Sequence, residues 1–384
     1  MAMANLETRS LGVEDRAAMR DSFRRLLADH GGEAEVRRVM DLPSGYDQAL
    51  WRRIADLGVV GLIIDPQYGG IGAGPEELEL IMEEAGAFLL CAPLVSSGVL
   101  AAGLLQQSTD EEAKARLLPP IASGQIIATA AMTGPRGLWT AADVAVTATE
   151  AADGWALEGE AGYVTDAAIA QVILVVAKTP DGLGVFEVDP GSEGLKIFAL
   201  DTFDRTLRLS GICFSGTKAR RIAGAGALAV EQTLDLARIA LAGEQAGGAR
   251  RIFDITLDYT KSRVQFGRPI GGFQAIKHMA ADLLLEAESA TSAAREAARA
   301  LAESRADAQV LITLAAFACA DAFCHIAATA IQMHGGIAFT WSHPAHLYLR
   351  RARADAQLLG TSAAYRERYV TLLETAALTT GARR

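Results

Sequence analysis

A chain of 384 residues is too long for one simple core and fits two or three packed units. Half of it is apolar (51%), only 21% is charged and the mean hydropathy is +0.20, which describes a well-buried globular protein with surface left for association. A formal net charge of -10 excludes a nucleic-acid backbone or an anionic membrane as the main partner, since both need a basic surface, although a local basic pocket for a phosphate remains compatible with it.

The first thirty residues are crowded with charges (Glu7, Arg9, Glu14, Asp15, Arg16 and others), so a secretory leader is not expected and the cytoplasm is the expected compartment. From Glu14 to about Gly124 apolar residues recur at helical spacing, as in Met19, Phe23, Leu26 and Leu27, then Leu50, Ile54 and Leu57, then Leu78, Ile81 and Met82. Gly69, Gly70 and Gly72 punctuate them as loops. From about Gln125 the runs become short, β-branched and turn-bounded: Ile126–Thr133, Val144–Thr149, Trp155–Gly159, Val172–Ala177 and Gly184–Val188, the strands of an antiparallel sheet or barrel. After about Gly224 long, Ala-rich helical periods return and continue to Thr375. The reach Val310–Ala320 is interrupted by Asp321, well short of the roughly 20 residues that span a bilayer, and is expected as a buried bundle helix. The predicted organisation is α+β: a helical domain over 1–124, an antiparallel β domain over 125–223 and a helical bundle over 224–384. Cys91, Cys213, Cys319 and Cys324 show no Cys-x-x-Cys spacing and are read as small buried hydrophobes.

The most informative stretch runs from Tyr259 to His278, where one amphipathic helix breaks at a Gly/Pro turn and another begins. The break carries Arg263, Phe266 and Gln274. A guanidinium offers a planar fork of donors to pyrophosphate oxygens, and an aromatic ring lies against a flat heterocycle, so the combination suits a dinucleotide; an ordinary helix-helix corner is the alternative.

That stretch resembles the signature of the acyl-CoA dehydrogenase family, flavoproteins that introduce an α,β double bond into CoA thioesters. Trp51–Leu62 followed by Pro66–Gly70 is similar to the family's early helix-to-loop passage, Gln332-Met-His-Gly335-Gly336 to its Gln-x-x-Gly-Gly element, and Gly360-Thr361 to the Gly-Thr after the last functional helix. The resemblance implies an N-terminal all-α domain, a middle β domain and a C-terminal four-helix bundle, with FAD between the β domain and the bundle and a neighbouring subunit's bundle reaching the same FAD. It therefore implies a homodimer, a homotetramer or an α2β2 heterotetramer, an acyl-CoA substrate and an electron-transfer flavoprotein as acceptor. Carried over residue by residue, Thr133 and Thr165 meet the flavin ring edge, Arg263, Phe266 and Gln274 contact FAD across the subunit interface, Gln332, Gly335 and Gly336 form a loop whose backbone lies against the cofactor, Thr361 meets its adenosine side, and Arg238 belongs to the substrate side. His334 and His278 are read as packing or hydrogen-bonding residues.

The base departs from the pattern. The family's usual Glu immediately before Gly-Thr is Leu359 here, and the residue before Arg238, a second usual source, is Ala237. Glu244, in an otherwise apolar helix stretch, is the leading candidate, although it lies seven residues beyond Ala237, about 10 Å further along the helix; a buried Glu satisfied by Arg238 or Arg251 is the structural alternative, and Asp355 is the other candidate. The run Pro135-Arg136-Gly137-Leu138-Trp139-Thr140 is bulkier than the family's Gly-rich loop and implies a changed or absent acyl-CoA tunnel. Two rival readings follow: a non-catalytic companion subunit in a hetero-oligomer, as among sterol-degrading relatives, and a flavin oxidase or monooxygenase on the same fold.

Overall fold

The computed structural model describes residues 11–152 and 154–381, of which 376–381 as backbone only. Glu7 and Arg9 of the charged opening lie outside the described residues.

Six helices build the N-terminal region: α1 (Val13–His30), α2 (Glu33–Met40), α3 (Gln48–Asp56), α4 (Pro75–Ala87), α5 (Ala102–Gln106) and α6 (Glu111–Ala122), with π-helical turns over Leu94–Ala101 leading into α5. Local chemistry sets their starts. Asp47 caps α3 by accepting the Leu50 N–H at 2.8 Å, and α4 opens on Pro75 with Glu77 accepting the Gly74 N–H at 2.9 Å. The outer face of α4 carries carboxylates that meet arginines of α1: Glu77 accepts from Arg16 at 2.6 Å, Glu83 from Arg20 at 2.6 Å, and Glu84 from Arg20 and Arg24, each at 2.6 Å. Glu79, on the same helix and 1% exposed, has an Oε1 with no hydrogen-bond partner among the described residues.

Seven strands follow: β1 (Ala128–Ala131), β2 (Thr147–Ala151), β3 (Gly154–Thr165), β4 (Val172–Thr179), β5 (Gly182–Val188), β6 (Leu195–Ala199) and β7 (Leu209–Ile222), in one sheet ordered β1-β4-β2-β3-β7-β5, with β6 also on β7 and β4 also on β5. The pairing is antiparallel except at two places, where β1 and the start of β2 run parallel to β4. These parallel pairs interrupt the antiparallel pairing expected from the sequence. The reason is connectivity: β1 and β4 are separated by the whole β2–β3 excursion, long enough for the crossover that parallel neighbours need. β6 and the long β7 escape the sequence pattern, because β7 mixes Gly, Ser, Lys and Arg into its alternation.

The C-terminal region consists of α7 (Ala227–Ser262), a two-strand hairpin β8 (Val264–Gln265) and β9 (Arg268–Pro269), α8 (Gln274–Ala302), α9 (Ala308–His334), α10 (Ala345–Asp355) and α11 (Ser362–Gly381). α7, α8 and α9 pack on one another, α11 lies along α9, and α10 crosses α7 and α9. Ala308–Phe339 is long and apolar enough to cross a membrane, but it forms the middle of this bundle, with Ile312, Ala315, Cys319, Phe323, Ile326 and Ala330 buried against its neighbours.

The position of α7 against α4 rests on glycine. A Cβ at Gly86 would sit 1.9 Å from the Glu244 carbonyl oxygen, one at Gly243 2.6 Å from that of Glu79, and one at Gly247 1.8 Å from that of Glu83. The two helices therefore cross backbone on backbone, and the crossing fixes where Glu244 emerges.

Candidate functional site

Where α4, α7 and α10 meet the end of β3, a cavity of about 40 Å³ opens, lined by Thr165, Asp166, Arg208, Glu244, Arg351 and Asp355 among apolar neighbours such as Leu94 and Leu358. That volume is room for a few water molecules, so any larger occupant must displace lining side chains.

Glu244 is 7% exposed and its Oε1 accepts a short hydrogen bond from Nη1 of Arg351. Its partner is thus Arg351 of α10, and neither Arg238 nor Arg251. Arg351, itself 2% exposed, donates from Nε to Asp204 Oδ2 at 2.8 Å and from Nη2 to the Thr206 hydroxyl at 2.7 Å and carbonyl at 3.2 Å. Asp204 is held in turn by the Thr206 N–H at 2.9 Å and hydroxyl at 2.7 Å. One guanidinium therefore serves two carboxylates with each of its three nitrogens engaged, the condition under which burying such charges is tolerable.

Asp355 is a third carboxyl beside this pair. It is 2% exposed and its Oδ2 has no hydrogen-bond partner. Burial, reinforced by Glu244, pushes its carboxyl well above the usual range. Asp166 is likewise pushed up, to about 6, by burial, while its Oδ2 accepts from the Ser96 hydroxyl at 2.6 Å. Thr165 ends β3 just past a register shift between Ala161 and Val164, flanked by two residues with left-handed backbone, Tyr163 (φ 51°) and Asp166 (φ 56°). Strain of that kind concentrates at functional sites. The Thr165 carbonyl accepts from the Thr129 hydroxyl at 2.5 Å, whereas its own hydroxyl is buried without a partner. Arg208 donates from Nη2 to the Met40 and Leu42 carbonyls, both at 2.8 Å, and its Nε has no partner.

A second cluster forms at the far end of α7. Arg263, Phe266 and Gln274 are exposed on the hairpin and the start of α8, with Phe266 92% exposed at φ 52°. The end of α9 reaches the same place, because Tyr259 stacks on His334 with centroids 4.5 Å apart. Gln332, Gly335 and Gly336 are exposed there, and Cβ atoms at the two glycines would meet nothing within 4 Å. His334 donates from Nδ1 to the Ala330 carbonyl at 2.8 Å, and its buried Nε2 is unpartnered. From Glu244 to Arg263 is nineteen residues of unbroken α7, roughly 28 Å.

The remaining sequence candidates lie elsewhere. Thr133 is buried, donating to Asp143 Oδ2 at 2.8 Å and accepting the Trp139 N–H at 3.1 Å; Asp143 also binds Arg136 and the Leu138 N–H, so the bulky loop is folded back on Thr133, with Trp139 in the core. Arg238 does not line the cavity: Nη1 pairs with Asp235 at 2.7 Å and Glu231 at 2.9 Å, and Nε reaches the Tyr365 hydroxyl at 3.4 Å. Thr361 Oγ1 accepts the Ala364 N–H at 3.2 Å at the start of α11. Leu359 is 2% exposed in the main core with φ 64°, and Ala237 is fully buried. Arg351, Arg208 and Asp204 had no sequence signal, since each lies within three residues of a neighbouring arginine and no spacing sets it apart. Among the described residues, no group of three or more His, Cys, Asp or Glu is arranged to hold a metal.

Residues 13–125 match the family model described as "Acyl-CoA dehydrogenase, N-terminal domain" and residues 224–370 that described as "Acyl-CoA dehydrogenase, C-terminal domain". The acyl-CoA dehydrogenase IpdE2 of Mycobacterium tuberculosis is 33% identical over 90% of this chain and 93% of its own. IpdE2 of Mycolicibacterium smegmatis is 30% identical over 90% and 95%. Among solved structures, the ChsE4-ChsE5 complex from Mycobacterium tuberculosis superposes with a TM-score of 0.87 at 26% identity, covering 95% of this chain and 98% of that one.

Proposed function

From the premise that this chain belongs to the acyl-CoA dehydrogenase family and is an oxidoreductase of that family, we propose that it binds FAD and dehydrogenates an acyl-CoA thioester, with Glu244 as the base and an electron-transfer flavoprotein as acceptor. The carrying observation is that the two carboxyls in one buried cavity differ: Glu244 is held in place by Arg351, whereas burial pushes the Asp355 carboxyl well above the usual range and no ion pair fixes it among the described residues. A base must take its proton from a fixed position, which favours the carboxyl that Arg351 orients, Glu244.

The fit to FAD rests on unsatisfied atoms. The Thr165 hydroxyl and His334 Nε2 are buried polar atoms without partners, and Gly335 and Gly336 leave open space for a close approach. Thr165 would hold the ring edge, and Arg263, Phe266, Gln274, Gln332, Gly335, Gly336 and Thr361 the remainder, with the Thr133 hydroxyl already engaged. When bound, FAD supplies the acceptor for the hydride that leaves the substrate Cβ. Glu244 takes the α-proton onto a carboxylate oxygen as that bond breaks, and the electron pair left behind becomes the Cα–Cβ π bond. Arg351 orients the carboxylate while Asp204 and Thr206 hold Arg351 in place. The apolar walls, Leu94 and Leu358 among them, exclude water from the proton transfer.

Two clusters roughly 28 Å apart along one helix cannot touch the same flavin ring, so shared use of both supports assembly from two copies or from this chain and a homologue. A companion-subunit reading is favoured by one observation, the packing of Leu359 into the core where the family's usual carboxylate stands. Anaerobic bleaching with acyl-CoA tests both. Glu244→Gln is expected to keep FAD and fold and to lose bleaching by at least about 10²-fold. Undiminished bleaching by this variant refutes Glu244 as base, and an unmodified protein that bleaches only after a second family member is added supports the companion reading.

A further inference from the structure

Among the described residues, three of the buried polar atoms left without partners belong to residues lining the same cavity: Thr165 Oγ1, Arg208 Nε and Asp355 Oδ2. Protein interiors rarely leave such atoms orphaned, and three at one cavity point to an occupant that satisfies them. On the reading above Thr165 faces the cofactor. Arg208 and Asp355 have no role in that chemistry, so they remain for the substrate.

We propose that the acyl group this protein accepts carries a neutral oxygen function, a ketone or a hydroxyl, which binds between Arg208 and Asp355. The proposal rests on the dehydrogenase reading for the identity of the thioester, and on these two side chains for the oxygen.

The charge count selects neutral over anionic oxygen. Around the cavity stand two guanidiniums, Arg208 and Arg351, and four carboxyls, Asp166, Asp204, Glu244 and Asp355. Arg351 is consumed by Asp204 and Glu244. Burial pushes the Asp355 carboxyl well above the usual range, and Asp166, pushed up to about 6, faces Arg208 as its counter-charge. The site is therefore already near neutral or slightly negative, and a buried carboxylate would arrive without a counter-charge. A ketone oxygen, by contrast, accepts from the Arg208 Nε–H, and a hydroxyl accepts there or donates to Asp355 Oδ2, in either case bringing no charge. A plain alkyl chain would bury both groups unsatisfied, the situation in which sites built for a hydrogen bond discriminate most strongly. Arg208 is also held rigidly for this: Nη2 is tied to two carbonyls of the segment after α2, and a Cβ on Gly45 would lie 2.7 Å from Nε, so only glycine lets that segment pack over the guanidinium.

The test compares octanoyl-CoA with its 5-, 6- and 7-oxo derivatives and with suberyl-CoA, the carboxylate-ended analogue, on the FAD-loaded protein. kcat/KM is read from anaerobic bleaching, and Kd from calorimetry on the Glu244→Gln variant, which keeps the thioester intact. At least one oxo derivative is expected to exceed octanoyl-CoA about 30-fold or more in both readouts. Asp355→Leu and Arg208→Met are each expected to bring that ratio within about threefold, chiefly by raising KM for the oxo compound, while Asp355→Asn, which keeps a donor and an acceptor, retains most of it. Equal or better handling of octanoyl-CoA, a preference for suberyl-CoA, or a preference that survives both Asp355→Leu and Arg208→Met overturns the proposal. If no thioester bleaches the flavin, the dehydrogenase reading fails by itself, and calorimetry still decides: tighter binding of an oxo derivative upholds the polar pocket, and equal binding removes it.

Discussion

Glu79→Gln isolates the buried carboxyl next to the crossing that positions Glu244. Glu79 is 1% exposed, and its carbonyl oxygen supports Gly243 of α7. Burial first, then the charge of Glu83, pushes its carboxyl up to about 8, against about 4.3 in an unfolded chain. As pH rises past about 4.3 the unfolded state gives up this proton while the folded state keeps it until about 8, so stability contributed by the protonated group is complete below the lower value and is lost as pH rises through the window, at about 1.36 kcal/mol per unit. Glutamine keeps the shape and does not titrate. The variant should therefore lead the parent by about 3.5 kcal/mol at pH 7 and about 5 kcal/mol at pH 8, and level off above that. At about 2.1 cal/mol/K per residue, 384 residues give an unfolding entropy near 0.8 kcal/mol/K, so the lead in Tm is about 4 °C at pH 7 and about 6 °C at pH 8. Differential scanning calorimetry of both proteins from pH 5 to pH 9 at one concentration measures it. A lead that stays constant with pH, of whatever size, would mean that Glu79 is ionised in the folded state and would refute the reasoning.

Arg351→Met leaves Asp204 and Glu244 buried without their counter-charge and is expected to cost about 3–5 kcal/mol, a Tm loss of about 4–6 °C in calorimetry, with Arg351→Lys intermediate. Gly247→Ala puts a Cβ 1.8 Å from the Glu83 carbonyl oxygen and is expected to cost about 3 kcal/mol and to slow bleaching, because the helix carrying Glu244 must back away; wild-type Tm and rate together would show that the crossing does not position the base. Arg263→Ala should weaken FAD retention by about 1.5–3 kcal/mol, roughly 10–150-fold in Kd by flavin titration, and unchanged retention would remove Arg263 from the cofactor site.

Much of the architecture was legible because helical and strand periods differ and because this chain changes period twice. Ala-rich spacing after Gly224 and β-branched runs between Gln125 and Val188 needed only local chemistry to read. β7 did not announce itself, since its buried alternation is diluted by Gly211, Gly216, Lys218, Arg220 and Arg221, and it acquires strand geometry from pairing with β3, β5 and β6. The parallel β1–β4 pair was hidden for the same reason: direction is set by partners far along the chain.

The site divides in the same way. Glu244 stood out as a carboxylate in an apolar helix, and its two neighbouring glycines were visible too, but that Gly243 and Gly247 are the points where α4 touches α7 is a fact of tertiary packing. Its counter-ion was misread for a physical reason. Arg238 and Arg251 are near in sequence, yet Arg238 is taken by Asp235 and Glu231, while Arg351 arrives from 107 residues away on α10. Sequence spacing measures position along one helix, and a buried ion pair is chosen by whichever element crosses that helix at the right height. The carboxylate that the family resemblance places before Gly-Thr would issue from the loop after α10, where Leu359 fills the core, whereas the buried carboxylate on α7 meets a guanidinium from α10.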